Sequence, residues 1–158
     1  MLLGIISDTH DHIEKVKKAI EIFNQYDLVC VIHCGDFIAP FTLKEFVNLK
    51  TKFYGVFGNC DGEKEGLLKV AKENNFILSE APFKISFGNK NFLIFHKLKK
   101  EEIKNVDYVI YGHTHKYEIK KEENIFFINP GEACGLLTEK ATIALLNIKE
   151  NQAAILEI

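Results

Sequence analysis

Three short apolar runs in the first half of the chain constrain its fold most strongly. They cover residues 2–6, 28–32 and 53–57, and each has the length and composition of a strand that is buried on both faces. The segments between them carry apolar residues at helical spacing, with lysines and glutamates on the opposite face. Strands that alternate with helices form parallel βαβ units, so the loops after these strands are expected at one edge of a sheet.

The helical segments have recognisable starts. Asp11 is expected to cap the first helix. Pro40 fits the first turn of a second helix that ends near Leu49. A third helix is expected over residues 64–73.

The second half of the chain changes to β-hairpins. Three pairs of strand-like segments flank short polar turns: 83–87 with 91–95, 117–121 with 125–128, and 142–148 with 153–158. A single strand is expected at 108–111, and one helix in the polar stretch 97–105. Together the elements predict an α/β (α+β) fold, a four-layer αββα sandwich of two mixed β-sheets flanked by helices. One domain is expected to cover residues 1–158.

Side chains that can bind a metal follow four of these strands. The segments are Asp8-Thr9-His10, Gly35-Asp36, Gly58-Asn59 and Gly112-His113-Thr114-His115. Oxygen and imidazole donors gathered at the carboxyl edge of a sheet indicate one dinuclear metal site. Aspartate and asparagine also favour turns in any α/β fold, but their ordered recurrence at successive strand ends favours the metal site. Such a donor set suits Mn²⁺, Fe²⁺, Zn²⁺ or Ni²⁺.

Composition argues against several classes of function. The net charge is −2 and all 20 basic residues are lysine, so the chain has neither the basic stripe of a nuclease nor a guanidinium group to grip phosphate. The apolar start reaches Asp8 without the basic region of a signal peptide, and no run approaches the roughly 20 apolar residues of a membrane span. The four cysteines include no Cys-x-x-Cys pair and are expected to be free thiols. A cytoplasmic protein is therefore expected.

Five short motifs, in this order, resemble those of the calcineurin-like metallophosphoesterases. They are Asp8-x-His10, Gly35-Asp36, Gly58-Asn59-x-Asp61, a single strand-end His96, and Gly112-His113-x-His115. The chain length, the Asn59-Cys60-Asp61 variant and the turn Asn129-Pro130-Gly131 point to the small YfcE-type phosphodiesterase branch of the family. The resemblance covers essentially the whole chain.

The resemblance implies a set of metal ligands and a reaction. One ion would be held by Asp8, His10 and His115, the second by Asn59, His96 and His113, and Asp36 would bridge both. Manganese is the expected metal, with nickel, iron, zinc or cobalt as alternatives. The implied reaction is in-line attack of a metal-bound hydroxide on phosphorus, in which Asp36, Asn59 and His96 act through the bound metals.

Two residues depart from the pattern of the family. Cys60 stands where many relatives carry a histidine that assists the leaving group, and a thiol is a poor substitute for it. Lys97 follows His96 where relatives usually have glycine; it could reach a substrate phosphate, or its bulk could tilt His96. His12 is expected either to start a helix or to contact substrate, and His33 to be a structural histidine at the end of a strand.

The sequence therefore predicts a metal-dependent phosphodiesterase that hydrolyses a small phosphodiester. Two other functions stay open. One is a non-catalytic scaffold similar to the retromer subunit that shares this fold, and the other is a phosphomonoesterase. The resemblance also allows a homo-oligomer.

Overall fold

The first half of the chain forms the expected βαβ units. The computed structural model describes all residues from Met1 to Ile158. In order, its first elements are β1 (Leu2–Ile6), α1 (Ile13–Phe23), β2 (Leu28–His33), α2 (Pro40–Glu45), β3 (Lys52–Val56), α3 (Lys64–Glu73) and β4 (Ile77–Ser79). A 3₁₀ turn over Phe46–Asn48 extends α2 to the predicted end of that helix. The three-residue β4 was not predicted, because it is too short to show a pattern of its own.

The second half forms the three predicted hairpins and the predicted single strand. Its elements are β5 (Phe83–Phe87), β6 (Lys90–Ile94), β7 (Tyr108–Ile110), β8 (Glu118–Glu122), β9 (Ile125–Asn129), β10 (Thr142–Asn147) and β11 (Gln152–Glu157). The antiparallel hairpins are β5–β6, β8–β9 and β10–β11. The strand β7 lies between β6 and β9 and is parallel to both.

Two mixed sheets result, as predicted. The first has the strand order β11-β10-β1-β2-β3-β4, and the second β5-β6-β7-β9-β8. Parallel pairing runs from β1 to β4 in the first sheet, with Ile5 opposite Ile32 and Val31 opposite Phe53. The carboxyl ends of β1, β2 and β3 therefore lie at one edge of the sheet.

Residues of opposite parity in the apolar strands pack into two different cores. Leu3, Ile5 and Ile32 face the second sheet, where they meet apolar residues such as Phe92 and Ile110. The other face of the first sheet packs against α1, α2 and α3 through a separate cluster of 19 buried residues. Burial on both sides explains why these strands are continuous apolar runs.

The outer face of the second sheet is covered without an α-helix. The stretch 97–105, predicted to form one helix, forms only a 3₁₀ turn over Lys100–Glu102. Its apolar residues Leu98 and Ile103, with Val106 beyond them, pack on the sheet. Leu98 and Ile103 are five positions apart, a spacing that puts them on different faces of an α-helix, so an extended path buries both more easily.

The predicted cap of α1 is wrong. The residue before α1 is His12, and its side chain makes no capping hydrogen bond. Asp11 instead accepts hydrogen bonds from the backbone N–H of Ala39, at 3.0 Å, and from the hydroxyl of Thr42. It therefore ties the loop after β1 to the loop after β2 and to the start of α2. None of the three α-helices is long and apolar enough to span a membrane.

Candidate metal centre

Loops from both sheets meet at one rim of the sandwich. They follow β1, β2 and β3 in the first sheet and β6 and β7 in the second. Backbone hydrogen bonds join them, from Asp8 N–H to Gly35 O at 3.0 Å and from Gly112 N–H to His96 O at 3.0 Å. Because the loops are short and bonded to one another, the side chains that they carry have few alternative positions.

Backbone strain is concentrated in these loops. Five of the seven predicted ligands have a positive φ although none is glycine: Asp8 (53°), His10 (41°), Asp36 (60°), His113 (68°) and His115 (61°). Left-handed conformations are uncommon outside glycine and persist where the surrounding structure forces them, which is typical of functional sites. Gly58 and Gly112 are needed for a different reason. A Cβ atom at either position would overlap a neighbouring side chain, Asp36 for Gly58 and Ser7 for Gly112.

Asp8, His10 and His115 form the first half-site. The Oδ1 atom of Asp8 lies 3.6 Å from Nε2 of His115 and 3.9 Å from Nε2 of His10. The two imidazole rings stack, with centroids 5.2 Å apart. The other carboxylate oxygen of Asp8 accepts hydrogen bonds from the hydroxyl of Ser7 and the backbone N–H of His113. Asp8 is fully buried, and burial raises its pKa despite the lowering effects of Ser7 and the nearby histidines.

Two polar atoms of this half-site have no hydrogen-bond partner. They are Oδ1 of Asp8 and Nε2 of His10, and both are buried. A buried unsatisfied polar atom typically costs about 1–3 kcal/mol, so such atoms are rare unless a ligand satisfies them. A carboxylate oxygen and an imidazole nitrogen, both unpaired and close together, fit a divalent cation.

Asn59, His96 and His113 form the second half-site. Nε2 of His96 lies 2.9 Å from Oδ1 of Asn59 and 3.2 Å from Nδ1 of His113. Nδ1 of His96 is 2.8 Å from the carbonyl oxygen of Cys34, so in the neutral imidazole it carries the proton and donates it there. Nε2 then carries no proton, so its lone pair faces the oxygen of Asn59, which is also an acceptor. This second group of facing lone pairs also fits a cation.

Asp36 lies between the two half-sites. Its Oδ2 atom is 3.6 Å from Nε2 of His10 and 3.4 Å from Nε2 of His96. Its Oδ1 atom accepts a hydrogen bond of 2.8 Å from the backbone N–H of Cys60, which fixes the orientation of the carboxylate. The structure thus brings all seven predicted ligands together, with Asp36 at the position expected of a bridge.

His113 is suited to act as a neutral ligand. Burial lowers its pKa, and the neighbouring His96 and Lys97 lower it further. At neutral pH its imidazole is therefore uncharged and has a free lone pair.

Two polar residues hold the loops of the centre in place. The carboxylate of Asp61 accepts backbone hydrogen bonds from Gly58 (2.7 Å), Ile38 (2.8 Å) and Asp36 (3.0 Å), which joins the loops after β2 and β3. The side-chain amide of Asn129 donates to the carbonyl of Gly112 at 3.0 Å and to the hydroxyl of Thr114 at 2.9 Å.

The other predicted site residues lie around this cluster. Sγ of Cys60 lies within 4.8 Å of ligand atoms of His10 and Asp36, and the residue is exposed. His12 is half-buried at the start of α1 with no side-chain hydrogen bond. Lys97 is exposed and makes no ion pair. His33 is outside the cluster: it is fully buried, accepts the N–H of Gly35 and stacks on Phe37 at 3.7 Å.

Sequence reasoning missed Glu132, a fully buried carboxylate behind the first half-site. Its Oε2 atom is 2.8 Å from Nδ1 of His115. Burial alone would raise the pKa of Glu132, but hydrogen bonds from His115, Cys134 and Thr138 outweigh it and lower the pKa to about 2. The one signal in the sequence is a single acidic residue within an otherwise small and apolar segment, 130–135.

Comparison with known proteins identifies the family of the chain. The calcineurin-like phosphoesterase superfamily domain matches residues 1–151. Phosphodiesterase MJ0936 of Methanocaldococcus jannaschii is 41% identical over 169 residues, which cover 99% of this chain and 100% of that protein. Phosphodiesterase YfcE of Escherichia coli K12 is 25% identical over 148 residues, covering 83% of this chain and 78% of that protein.

Solved structures have the same fold. An archaeal phosphodiesterase superposes with a TM-score of 0.93 at 37% identity, over 100% of both chains. Vps29 of Entamoeba histolytica has a TM-score of 0.71 at 20% identity, over 100% of this chain and 99% of that one, a likeness that concerns the fold alone. These matches confirm the family that the five motifs predicted. The chain belongs to the calcineurin-like phosphoesterase superfamily.

Proposed function

We propose that this protein is a phosphodiesterase that hydrolyses a small phosphodiester with two divalent metal ions. The observation that carries the proposal is the position of Asp36, whose Oδ2 atom lies between two groups of facing donor atoms. Asp8, His10 and His115 would hold one ion, and Asn59, His96 and His113 the other, with Asp36 shared. Manganese remains our expected metal. When bound, such ions polarise phosphoryl oxygens and lower the pKa of water towards neutrality.

Residues of the chain hold the expected metal ligands in place and leave one histidine free to contact substrate. The backbone N–H of Cys60 and the three hydrogen bonds to Asp61 hold Asp36 and Asn59 in a fixed relative position, so little reorganisation accompanies the reaction. Of the six histidines, four belong to the cluster and His33 is buried elsewhere, which leaves only His12 free to contact substrate.

Cys60 is a poor acid for the leaving group. Partial desolvation and the carboxylate of Asp36 raise the pKa of Cys60, so its thiol keeps its proton at neutral pH and gives it up poorly. General acids contribute about 10²- to 10⁴-fold to rate, and without one the enzyme should favour esters with good leaving groups. Lys97, exposed and unpaired beside His96, is positioned to attract the phosphate.

A cavity beside the centre is suited to hold an ester arm of the substrate. It has a volume of about 230 Å³ and is lined by His115, Lys116, Tyr117, Thr138, Lys140 and Thr142. Because His115 forms one wall, an occupant would lie next to the reacting phosphate. We assign one ester arm of the substrate to this cavity, and our preference for a diester rests on the phosphodiesterases to which the chain is similar.

A non-catalytic scaffold is the other function to weigh. Leu136 and Leu137 are 64% and 72% exposed near the rim, and exposed apolar pairs of this kind can bind a partner. A scaffold that binds no metal, however, gains nothing from the unpaired Asp8 and His10 atoms or from the strained loops that carry them. The complete donor set therefore favours the enzyme.

The test is metal-dependent hydrolysis of a diester. Protein stripped with a chelator would be titrated with Mn²⁺ and Ni²⁺ and assayed with bis-p-nitrophenyl phosphate beside p-nitrophenyl phosphate. We expect the metal to restore activity, with faster hydrolysis of the diester than of the monoester. We expect Asp36→Asn to abolish this activity. Asp107→Asn is the matched control, because Asp107 pairs with Lys90 away from the centre. Two bound metals without turnover of either ester would favour the scaffold instead.

A further inference from the structure

Glu132 makes more contacts than any other carboxylate near the centre. Its Oε2 atom lies 2.8 Å from Nδ1 of His115 and accepts the thiol of Cys134 at 3.1 Å. Its Oε1 atom accepts the backbone N–H groups of Leu137 at 2.8 Å and Thr138 at 2.5 Å, and the hydroxyl of Thr138 at 2.7 Å. All five partners are donors, so the buried carboxylate is fully satisfied as an anion.

This contact determines which nitrogen of His115 is free. An ionised carboxylate only accepts hydrogen bonds, so Nδ1 of His115 must carry a proton and donate it to Glu132. The lone pair of the neutral ring is then on Nε2, which faces Oδ1 of Asp8 at 3.6 Å. A neighbouring carboxylate also makes the imidazole a stronger ligand.

The second half-site is built differently. There Nδ1 of His96 donates to the neutral backbone carbonyl of Cys34. A carbonyl fixes the orientation of a ring but brings no negative charge. The first half-site has the carboxylate of Asp8 as a ligand of its own, and the carboxylate of Glu132 contacts its His115. The second half-site has only neutral ligands of its own and would share Asp36 with the first.

We propose that Glu132 is a positioning residue that orients His115 and selectively strengthens metal binding at the first half-site. The proposal rests on the proposed function only in placing a metal ion at Asp8, His10 and His115. It assigns a role to a residue outside the ligand set. Substitution of such outer partners typically lowers metal affinity or activity about 10- to 100-fold.

The sharpest variant is Glu132→Gln, which keeps the shape of the side chain. Its amide oxygen can still accept from the Leu137 and Thr138 N–H groups. Its NH₂ group then faces Nδ1–H of His115, two donors in opposition, so the ring must change tautomer or move. Glu118→Gln is the matched control, because Glu118 accepts a hydrogen bond from the hydroxyl of Tyr111 and lies outside the donor cluster.

The experiment is calorimetric titration of the metal-free protein with Mn²⁺. The two classes of site would be assigned with His115→Ala, which removes a ligand of the first half-site, and Asn59→Ala, which removes one of the second. We expect Glu132→Gln to weaken the first class about 10- to 100-fold and to leave the second unchanged. In a His115→Ala background, Glu132→Gln should not weaken Mn²⁺ binding any further, because the two residues act as one unit.

Three results of the titration would overturn the proposal. One is an unchanged first class in Glu132→Gln with a lower melting temperature, which would make Glu132 merely structural while the proposed function stands. Another is equal weakening of both classes. The last is an absence of Mn²⁺ binding in the wild type, which would remove the proposed function as well. Binding behaviour as expected without diester hydrolysis would support the role of Glu132 and overturn only the function.

A measurement on the wild type guards against a variant that fails to fold. Long-range ¹H–¹⁵N spectra of the histidine rings report the tautomer directly. We expect the neutral imidazole of His115 to carry its proton on Nδ1 in the metal-free protein. An Nε2–H form would contradict the proposal whatever the variants do.

Discussion

Asp8→Asn should make the metal-free protein more stable while weakening its response to metal. Oδ1 of Asp8 is a buried, unpaired carboxylate oxygen, and an unsatisfied buried polar atom costs about 1–3 kcal/mol. An asparagine removes the buried charge, keeps an oxygen for the N–H of His113, and turns an NH₂ group towards Nε2 of His115. We therefore expect the free energy of unfolding to rise by about 1–2 kcal/mol.

With Mn²⁺ the order should change, because the wild type gains more stability from the metal than the variant does. A ligand at 100 times its dissociation constant stabilises the folded state by about 2.7 kcal/mol. For a chain of 158 residues, 1 kcal/mol corresponds to a shift of about 2–4 °C in melting temperature. Two ions bound at this level give about 5.4 kcal/mol, so saturating Mn²⁺ should raise the melting temperature of the wild type by about 11–22 °C. The Asp8→Asn variant should lose about half of this shift, because Asp8 belongs to one half-site alone.

Asp61→Asn is the matched control, since it makes the same chemical change at a satisfied carboxylate. Asp61 accepts three backbone hydrogen bonds, and an NH₂ group in place of one oxygen would oppose a backbone N–H group. We expect it to lower the free energy of unfolding by about 1–3 kcal/mol. Melting curves of both variants, with chelator and with Mn²⁺, test the pair. A less stable metal-free Asp8→Asn, or one with the full Mn²⁺ shift, would refute the reasoning.

Three further predictions concern the rim and the surface. Cys60→His should raise the rate with esters of poor leaving groups by up to about 10²-fold and the rate with p-nitrophenyl esters much less. Equal gains for both would contradict the argument that Cys60 is a poor acid for the leaving group. Tyr117→Ala should raise KM for the diester, whereas an unchanged diester KM would remove the ester arm from the cavity. A hydrogen bond from the N–H of Asn91 and the pairing with Lys90 lower the pKa of Asp107, so its contribution to stability is present at neutral pH and lost as the pH falls below about 4. Asp107→Asn should therefore flatten the acid side of the curve of unfolding free energy against pH, and an unaltered acid side would contradict this.

The parts of the molecule that sequence predicted are those with a local signal. Continuous apolar runs gave the buried strands, and Pro40 gave the start of α2, because both depend on neighbouring residues. The donor residues at the strand ends also predicted where the candidate metal centre lies, since parallel pairing brings the ends of β1, β2 and β3 to one edge.

The parts that sequence did not predict depend on contacts distant along the chain. Asp11 looked like the cap of the next helix, but its partners are Ala39 and Thr42. Glu132 shows its role only through His115, which lies 17 residues earlier in the sequence. The polar segment before β7 had the composition of a helix, yet the spacing of Leu98 and Ile103 left no continuous apolar face.

The most direct test of a metal pair that shares Asp36 is electron paramagnetic resonance of the protein loaded with two equivalents of Mn²⁺. Two ions joined by one carboxylate are magnetically coupled, so we predict the spectrum of an exchange-coupled pair in the wild type. In Asp36→Asn that spectrum should give way to isolated Mn²⁺ or to free ion. A spectrum of two uncoupled ions in the wild type, or no bound manganese, would contradict the account.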